Sequence, residues 1–197
     1  MYVVTERNTL AEALWPAQSM PGWLRNVLLA IGGSLLLTLS AKINVPFYPV
    51  PMTMQTFAVL LIGAAFGWRL GAATVLLYLA QGAFGFPVFA GTPEKGLGLA
   101  YMMGPTGGYL IGFVVAAALV GWLAERGWDR SFLSLAAAMF IGHVVISAYG
   151  VAWLGSSIGL VQAWTVGVLP FFYANIFKTL LAAACLRAGW SLANFRG

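Results

Sequence analysis

The chain has 197 residues, is 61% hydrophobic and 8% charged, and has a mean hydropathy of +0.88. A soluble domain carries about 25% charged residues, so ten Lys+Arg and five Asp+Glu cannot hydrate this surface, and the chain reads as an all-α membrane protein. The net charge of +5 comes from basic residues scattered singly, without the cluster or stripe of a nucleic-acid site.

Residues 1–23 hold Glu6, Arg7 and Glu12 among polar residues. They lack the basic start and apolar run of a cleaved signal peptide, which predicts a short arm or helix at the cytoplasmic surface. Six apolar stretches follow, at about 24–41, 52–66, 70–84, 104–124, 132–154 and 169–186. A span needs about 20 apolar residues, so these form one compact bundle of about six transmembrane helices over 24–190, with a short cytoplasmic tail at 191–197. Alternating strands of about ten residues, as in a membrane barrel, are absent from the pattern. The connections include a proline-rich segment at 42–51, a glycine-rich one at 85–103 and a charged turn at 125–130.

Six spans place both termini on one side. That side then collects Arg7, Arg25, Arg69, Arg126, Arg130, Arg187 and Arg196, which is every arginine. The positive-inside bias makes it cytoplasmic. The other side collects Lys42, Lys95 and Lys178, which is every lysine. Lys42 reads as a snorkelling helix-end residue, and Lys95 as a partner of Glu94 or a contact for a ligand. Lys178 lies eight residues or so inside the sixth span, where an ionisable group is a functional-site candidate. Asn175 precedes it by three residues and shares its helical face. Together they suit an anion or a polar head group at the outer face.

The string Pro-Val-Pro-Met-Thr-Met-Gln-Thr, residues 49–56, joins a rigid loop to a helix start, with Thr53 able to cap and Gln55 able to bond another helix or a ligand. Gln81 stands before Phe84, Phe86 and Phe89, which fits either a contact to an amphipathic ligand or an interface belt. Residues 104–109, Gly-Pro-Thr-Gly-Gly-Tyr, read as a loop-to-helix junction and lack the Gly-Lys-Ser/Thr of a nucleotide loop, so any ATP hydrolysis belongs to partner proteins. Ala30, Ser34 and Thr38 recur at four-residue spacing, a stripe for internal packing or for docking another subunit. His143 stands without neighbouring metal ligands and is expected in an interhelical hydrogen bond. Cys185 is expected to be a small packing residue. No acid falls mid-span and no serine has a persuasive base, which argues against a proton pump and an enzyme alike.

Four strings carry a resemblance to a known family: residues 49–56, residues 78–91 (Tyr-Leu-Ala-Gln-Gly-Ala-Phe-Gly-Phe-Pro-Val-Phe-Ala-Gly), residues 104–113 (Gly-Pro-Thr-Gly-Gly-Tyr-Leu-Ile-Gly-Phe) and residues 168–178 (Val-Leu-Pro-Phe-Phe-Tyr-Ala-Asn-Ile-Phe-Lys). In that order they closely resemble the BioY biotin transporters. The resemblance implies the six-helix substrate-binding S component of an energy-coupling factor transporter in the bacterial cytoplasmic membrane. Such a component takes biotin from outside and works with a transmembrane coupling subunit and ATPase subunits; it binds no cofactor. Carried over by position, it implies substrate binding by Gln81, Lys95, Asn175 and Lys178. Candidate lining residues are Thr53, Gln55, Phe89 and Tyr173, and Ala30, Ser34 and Thr38 would dock the coupling subunit. The chain departs from the family's common residues, which are Asp where Asn175 stands, Asn where Gln81 stands and Arg where Lys95 stands. An S component for a different vitamin is the alternative.

Overall fold

The computed structural model describes residues 9–16 and 20–195, the last two by backbone alone. Residues 1–8 and 17–19 of the expected arm and 196–197 of the expected tail, Arg7 and Arg196 among them, lie outside these described residues. The elements are helix α1 (Leu10–Leu14), α2 (Gly22–Lys42), strands β1 (Asn44–Val45) and β2 (Met52–Thr53), α3 (Gln55–Ala83), α4 (Gly98–Met102), α5 (Gly107–Leu123), α6 (Phe132–Ile158), α7 (Leu160–Gly167) and α8 (Phe172–Phe195). A π-helical turn, Ala124–Trp128, continues α5, and a 3-10 turn, Leu169–Phe171, joins α7 to α8. Helices satisfy their own backbone polar groups, which lipid cannot do for them.

Among the described residues, five stretches are long and apolar enough to cross a membrane: Gly22–Lys42, Gln55–Ala83, Gly107–Trp128, Phe132–Ile158 and Leu160–Ala193. The sequence predicts six, and the difference lies in α3. Gly67 breaks it with φ 80° and ψ 173°, a backbone conformation open to glycine. Gln55 Nε2 then donates to the Tyr78 hydroxyl at 2.7 Å, although a straight helix would separate these residues by about 35 Å. The chain therefore reverses at Gly67 with no intervening loop, and α3 consists of two antiparallel arms. Glu125 closes the turn by accepting from the Trp68 amide at 3.0 Å.

The arms are held close by small residues. A Cβ on Gly71 would lie 3.0 Å from the Gly63 Cα, and one on Gly63 would lie 2.6 Å from the Ala117 carbonyl oxygen of α5. The α3 arms pack on α5, α5 packs on α6, and α2 covers α3 from outside. Short α1, capped by a reciprocal Thr9–Glu12 box, seats Leu10 against Gly189 of α8.

The contacts sort the charges by end. At one end Arg25 pairs with Glu12 at 3.7 Å, Arg187 donates to the Arg130 carbonyl at 2.6 Å, and Trp190 donates to Asp129 at 2.8 Å. At the other end the Lys42 ammonium donates to the carbonyls of Phe89 and Thr92 and to the Thr92 hydroxyl, each at 3.1 Å. Lys42 thus clamps the 89–92 loop to the end of α2 and does more than snorkel. Cys185, expected as a small packing residue, is exposed on α8.

Candidate binding cleft

The proline-rich connection between α2 and α3 does not stand away from the bundle. Its two strands pair antiparallel, Asn44 opposite Thr53 and Val45 opposite Met52, and Phe47 packs edge-on against Phe171 at 6.1 Å. The hairpin so folded covers a cleft of about 610 Å³, including its open side, between α3, α5, α6 and α8. Ligand pockets set a few polar groups among apolar and aromatic walls. Here Val50, Met52, Leu110, Phe113, Ile146 and Phe171 supply apolar wall, while Tyr101 and Tyr109 combine ring and hydroxyl.

Lys178 is the one charged residue among the described residues lining the cleft. It is 5% exposed, and its ammonium donates to the Thr53 carbonyl at 2.7 Å and to the Thr56 hydroxyl at 3.3 Å. Among the described residues no carboxylate stands within ion-pair distance of it. An unpaired cation in low dielectric favours an anionic or strongly accepting ligand. Asn175, half-buried on the same face of α8, also lines the cleft.

Thr53 and Gln55 line it as well, but much of their polarity is spent on the scaffold. The Thr53 hydroxyl accepts from the Gln55 amide N–H and donates to its side-chain oxygen, each at 3.2 Å. Gln55 continues to Tyr78, whose hydroxyl donates to the Val88 carbonyl at 3.1 Å. Lys178, Thr53, Gln55, Tyr78 and Val88 form one chain of contacts that fixes hairpin, helices and the 85–90 loop together.

The remaining sequence candidates stand elsewhere. Gln81 accepts from Ser34 of α2, so its carbonyl is committed to helix packing outside the cleft. Phe89 is buried behind the wall, stacked on Tyr101 at 4.8 Å and edge-on to Tyr78 at 5.4 Å. Lys95 is exposed and does not line the cleft; its stem lies over Gly91, next in sequence to the lining residue Ala90. Tyr173 is 82% exposed and points away. Ser34 is buried against Gln81, and Thr38 bonds back to the Ser34 carbonyl at 3.0 Å. Ser34 therefore packs against the second arm of α3, which corrects its assignment to a docking surface. The outward face of α2 is instead Leu28, Ile31, Leu35 and Leu39.

Several lining residues were not singled out by spacing. Thr106 and Tyr109 come from the glycine-rich junction, where a Cβ on Gly107 or Gly108 would meet Trp153. Tyr109 donates to the Gly167 carbonyl at 2.8 Å. The Tyr101 phenol donates to Ala90 at 2.9 Å, and burial pushes its pKa above the ordinary range. From α6 come His143, Ile146 and Ser147. His143 makes the expected interhelical bond, to Thr179 of α8 at 3.2 Å, and is a cleft residue besides.

The sequence profile of the BioY family matches residues 8–195. A probable biotin transporter BioY from Pyrococcus horikoshii is 40% identical over 147 residues, covering 75% of this chain and 85% of its own length. The biotin transporter BioY of Thermotoga maritima is 38% identical over 149 residues, covering 75% and 85%. That of Rhodobacter capsulatus is 35% identical over 188 residues, covering 87% and 95%. In fold, the chain is similar to a crystal structure of the S-component for biotin from an ECF-type ABC transporter, with TM-score 0.74 and 24% identity over 86% of this chain and 93% of that one. With the family profile spanning the bundle and its cleft, the chain belongs to the BioY family.

Proposed function

We propose that this chain is a high-affinity biotin-binding membrane subunit that takes up the vitamin from the outer face. It is a transporter component and not an enzyme. The observation that carries the reading is the cleft itself, with a buried, carboxylate-free lysine and an asparagine on one wall and aromatic residues on the others. Biotin is an amphipathic anion with a compact bicyclic ring. Its ring system would lie on the tyrosine and phenylalanine wall, with its polar ends on Lys178, Asn175 and the exposed Lys95.

The topology belongs to the same proposal. Counting the two arms of α3 separately gives six passes with both termini cytoplasmic, the bundle at 24–190 flanked by an arm at 1–23 and a tail at 191–197. The end-to-end sorting of arginine contacts from Lys42 and Lys178 supports that orientation through the positive-inside bias. ATP hydrolysis would come from partner subunits of an energy-coupling factor transporter in the bacterial cytoplasmic membrane. Ala30 and Thr38, half-buried on α2, and the outward leucines beside them lie on the helix through which a coupling subunit would act.

The test is binding of radiolabelled biotin to the purified chain in detergent, with other vitamins as competitors. Saturable binding displaced by biotin alone supports the proposal. Displacement by a different vitamin in preference to biotin would reassign the ligand and keep the architecture.

A further inference from the structure

Among the described residues, one fully buried polar atom of a cleft residue has no hydrogen-bond partner. His143 is 4% exposed and lines the cleft. Its Nδ1 lies 3.1 Å from the Met139 carbonyl oxygen, one turn back on α6, and 3.2 Å from the Thr179 hydroxyl of α8. A carbonyl oxygen only accepts, so Nδ1 carries the proton; in the neutral ring Nε2 is then an acceptor. Nε2 is buried and has no hydrogen-bond partner among the described residues. Buried polar atoms are almost always paired, and each orphan calls for an explanation.

The surroundings say what kind of partner is missing. Lys178, which lines the same cleft, is donor-only. Asn175, one turn outward from Thr179, offers one acceptor and two donors. Lys178 spends donors on the Thr53 carbonyl and the Thr56 hydroxyl, whereas the imidazole supplies an unused acceptor held in orientation by Met139 and Thr179. We infer that His143 Nε2 accepts a hydrogen bond from an N–H of the transported ligand. Resting on the biotin reading above, that N–H belongs to the ureido ring, and His143 is a specificity-determining residue of the site.

The experiment measures biotin binding to purified wild type, His143→Asn and His143→Gln, with thermal unfolding of each followed in the same detergent. Asparagine can keep a donor near the Nδ1 position but has no atom at Nε2, whereas glutamine can place an amide oxygen there. The expected result is about tenfold weaker binding for His143→Asn, partial recovery for His143→Gln, and wild-type-like unfolding in at least one of them. Biotin methylated on the ureido nitrogen that faces His143 should bind wild type and His143→Asn about equally. A His143→Asn protein that binds biotin within about twofold of wild type, or a methylated ligand that loses as much as biotin on substitution, overturns the inference and leaves the biotin reading standing. Wild type that binds no biotin overturns the biotin reading, and this assignment with it.

Discussion

The ammonium of Lys178 donates to the main-chain carbonyl of Thr53 at 2.7 Å, across 125 residues of chain. It joins the last helix to the hairpin that covers the cleft, and leaves the rest of its donor capacity to Thr56 and the cleft interior. One side chain thus has two duties, holding the cover and presenting the positive charge.

Lys178→Ala and Asn175→Ala should both weaken biotin binding sharply, the first by about 10- to 100-fold, as for loss of a hydrogen bond to a charged group. Lys178→Ala also leaves the Thr53 carbonyl without its donor, so its unfolding midpoint should drop by a few degrees while the transition stays cooperative. Equilibrium binding and thermal unfolding on the same purified samples check both. Wild-type affinity in both variants would refute the site.

The Gly67 turn makes a second claim. A Cβ on Gly121 would lie 2.5 Å from the Trp68 amide nitrogen and 2.7 Å from the Gly63 carbonyl oxygen, both backbone atoms of the α3 hairpin. Gly121→Ala should therefore destabilise by about 1–3 kcal/mol, the usual range for overpacking. A Cβ on Gly32 meets nothing within 4 Å, so Gly32→Ala should unfold at or above the wild-type temperature. Equal midpoints for the two variants would mean the arms do not meet as described.

Much of this was open to reading from the residues, and the failures have physical causes. Gly67-Trp68-Arg69 marks the end of one stretch and the start of another, and the reversal occurs there. Asn175 and Lys178 share a face because three residues separate them, and both reach the cleft. The same arithmetic excludes Tyr173, two residues before Asn175 and so on the opposite side, where it is exposed. Gln81 could not be placed by any local rule, since its partner Ser34 lies 47 residues away. His143 was legible as a bonded histidine, but its orphaned Nε2 depends on how α6 meets α8.

The Lys42 clamp predicts a local effect. Lys42→Met removes three donor contacts to Phe89 and Thr92 and keeps the aliphatic stem. Amide hydrogen exchange over residues 89–96 should accelerate, with the spans little changed, since the contacts lie within one loop. Unaltered exchange in that loop would show that the ammonium does not hold it.

Asp129 supplies the pH prediction, in the turn between α5 and α6 and outside the spans. Burial pushes its pKa above the ordinary carboxylate range, against the opposing pull of Arg130 at 3.4 Å and the Trp190 hydrogen bond at 2.8 Å. The folded state then holds the proton to higher pH than the unfolded chain, whose Asp titrates near about 3.9. The stability this contributes is fully present below that value and is lost as pH rises through the folded pKa. Asp129→Asn keeps an acceptor for Trp190 and removes the titration. The midpoint of wild type should therefore fall relative to Asp129→Asn as pH is raised from about 3.9 through the range just above it, measured by thermal unfolding across a pH series. A wild-type midpoint that instead gains on the variant over that range would mean Arg130 and Trp190 outweigh burial, and that the folded carboxyl is shifted down.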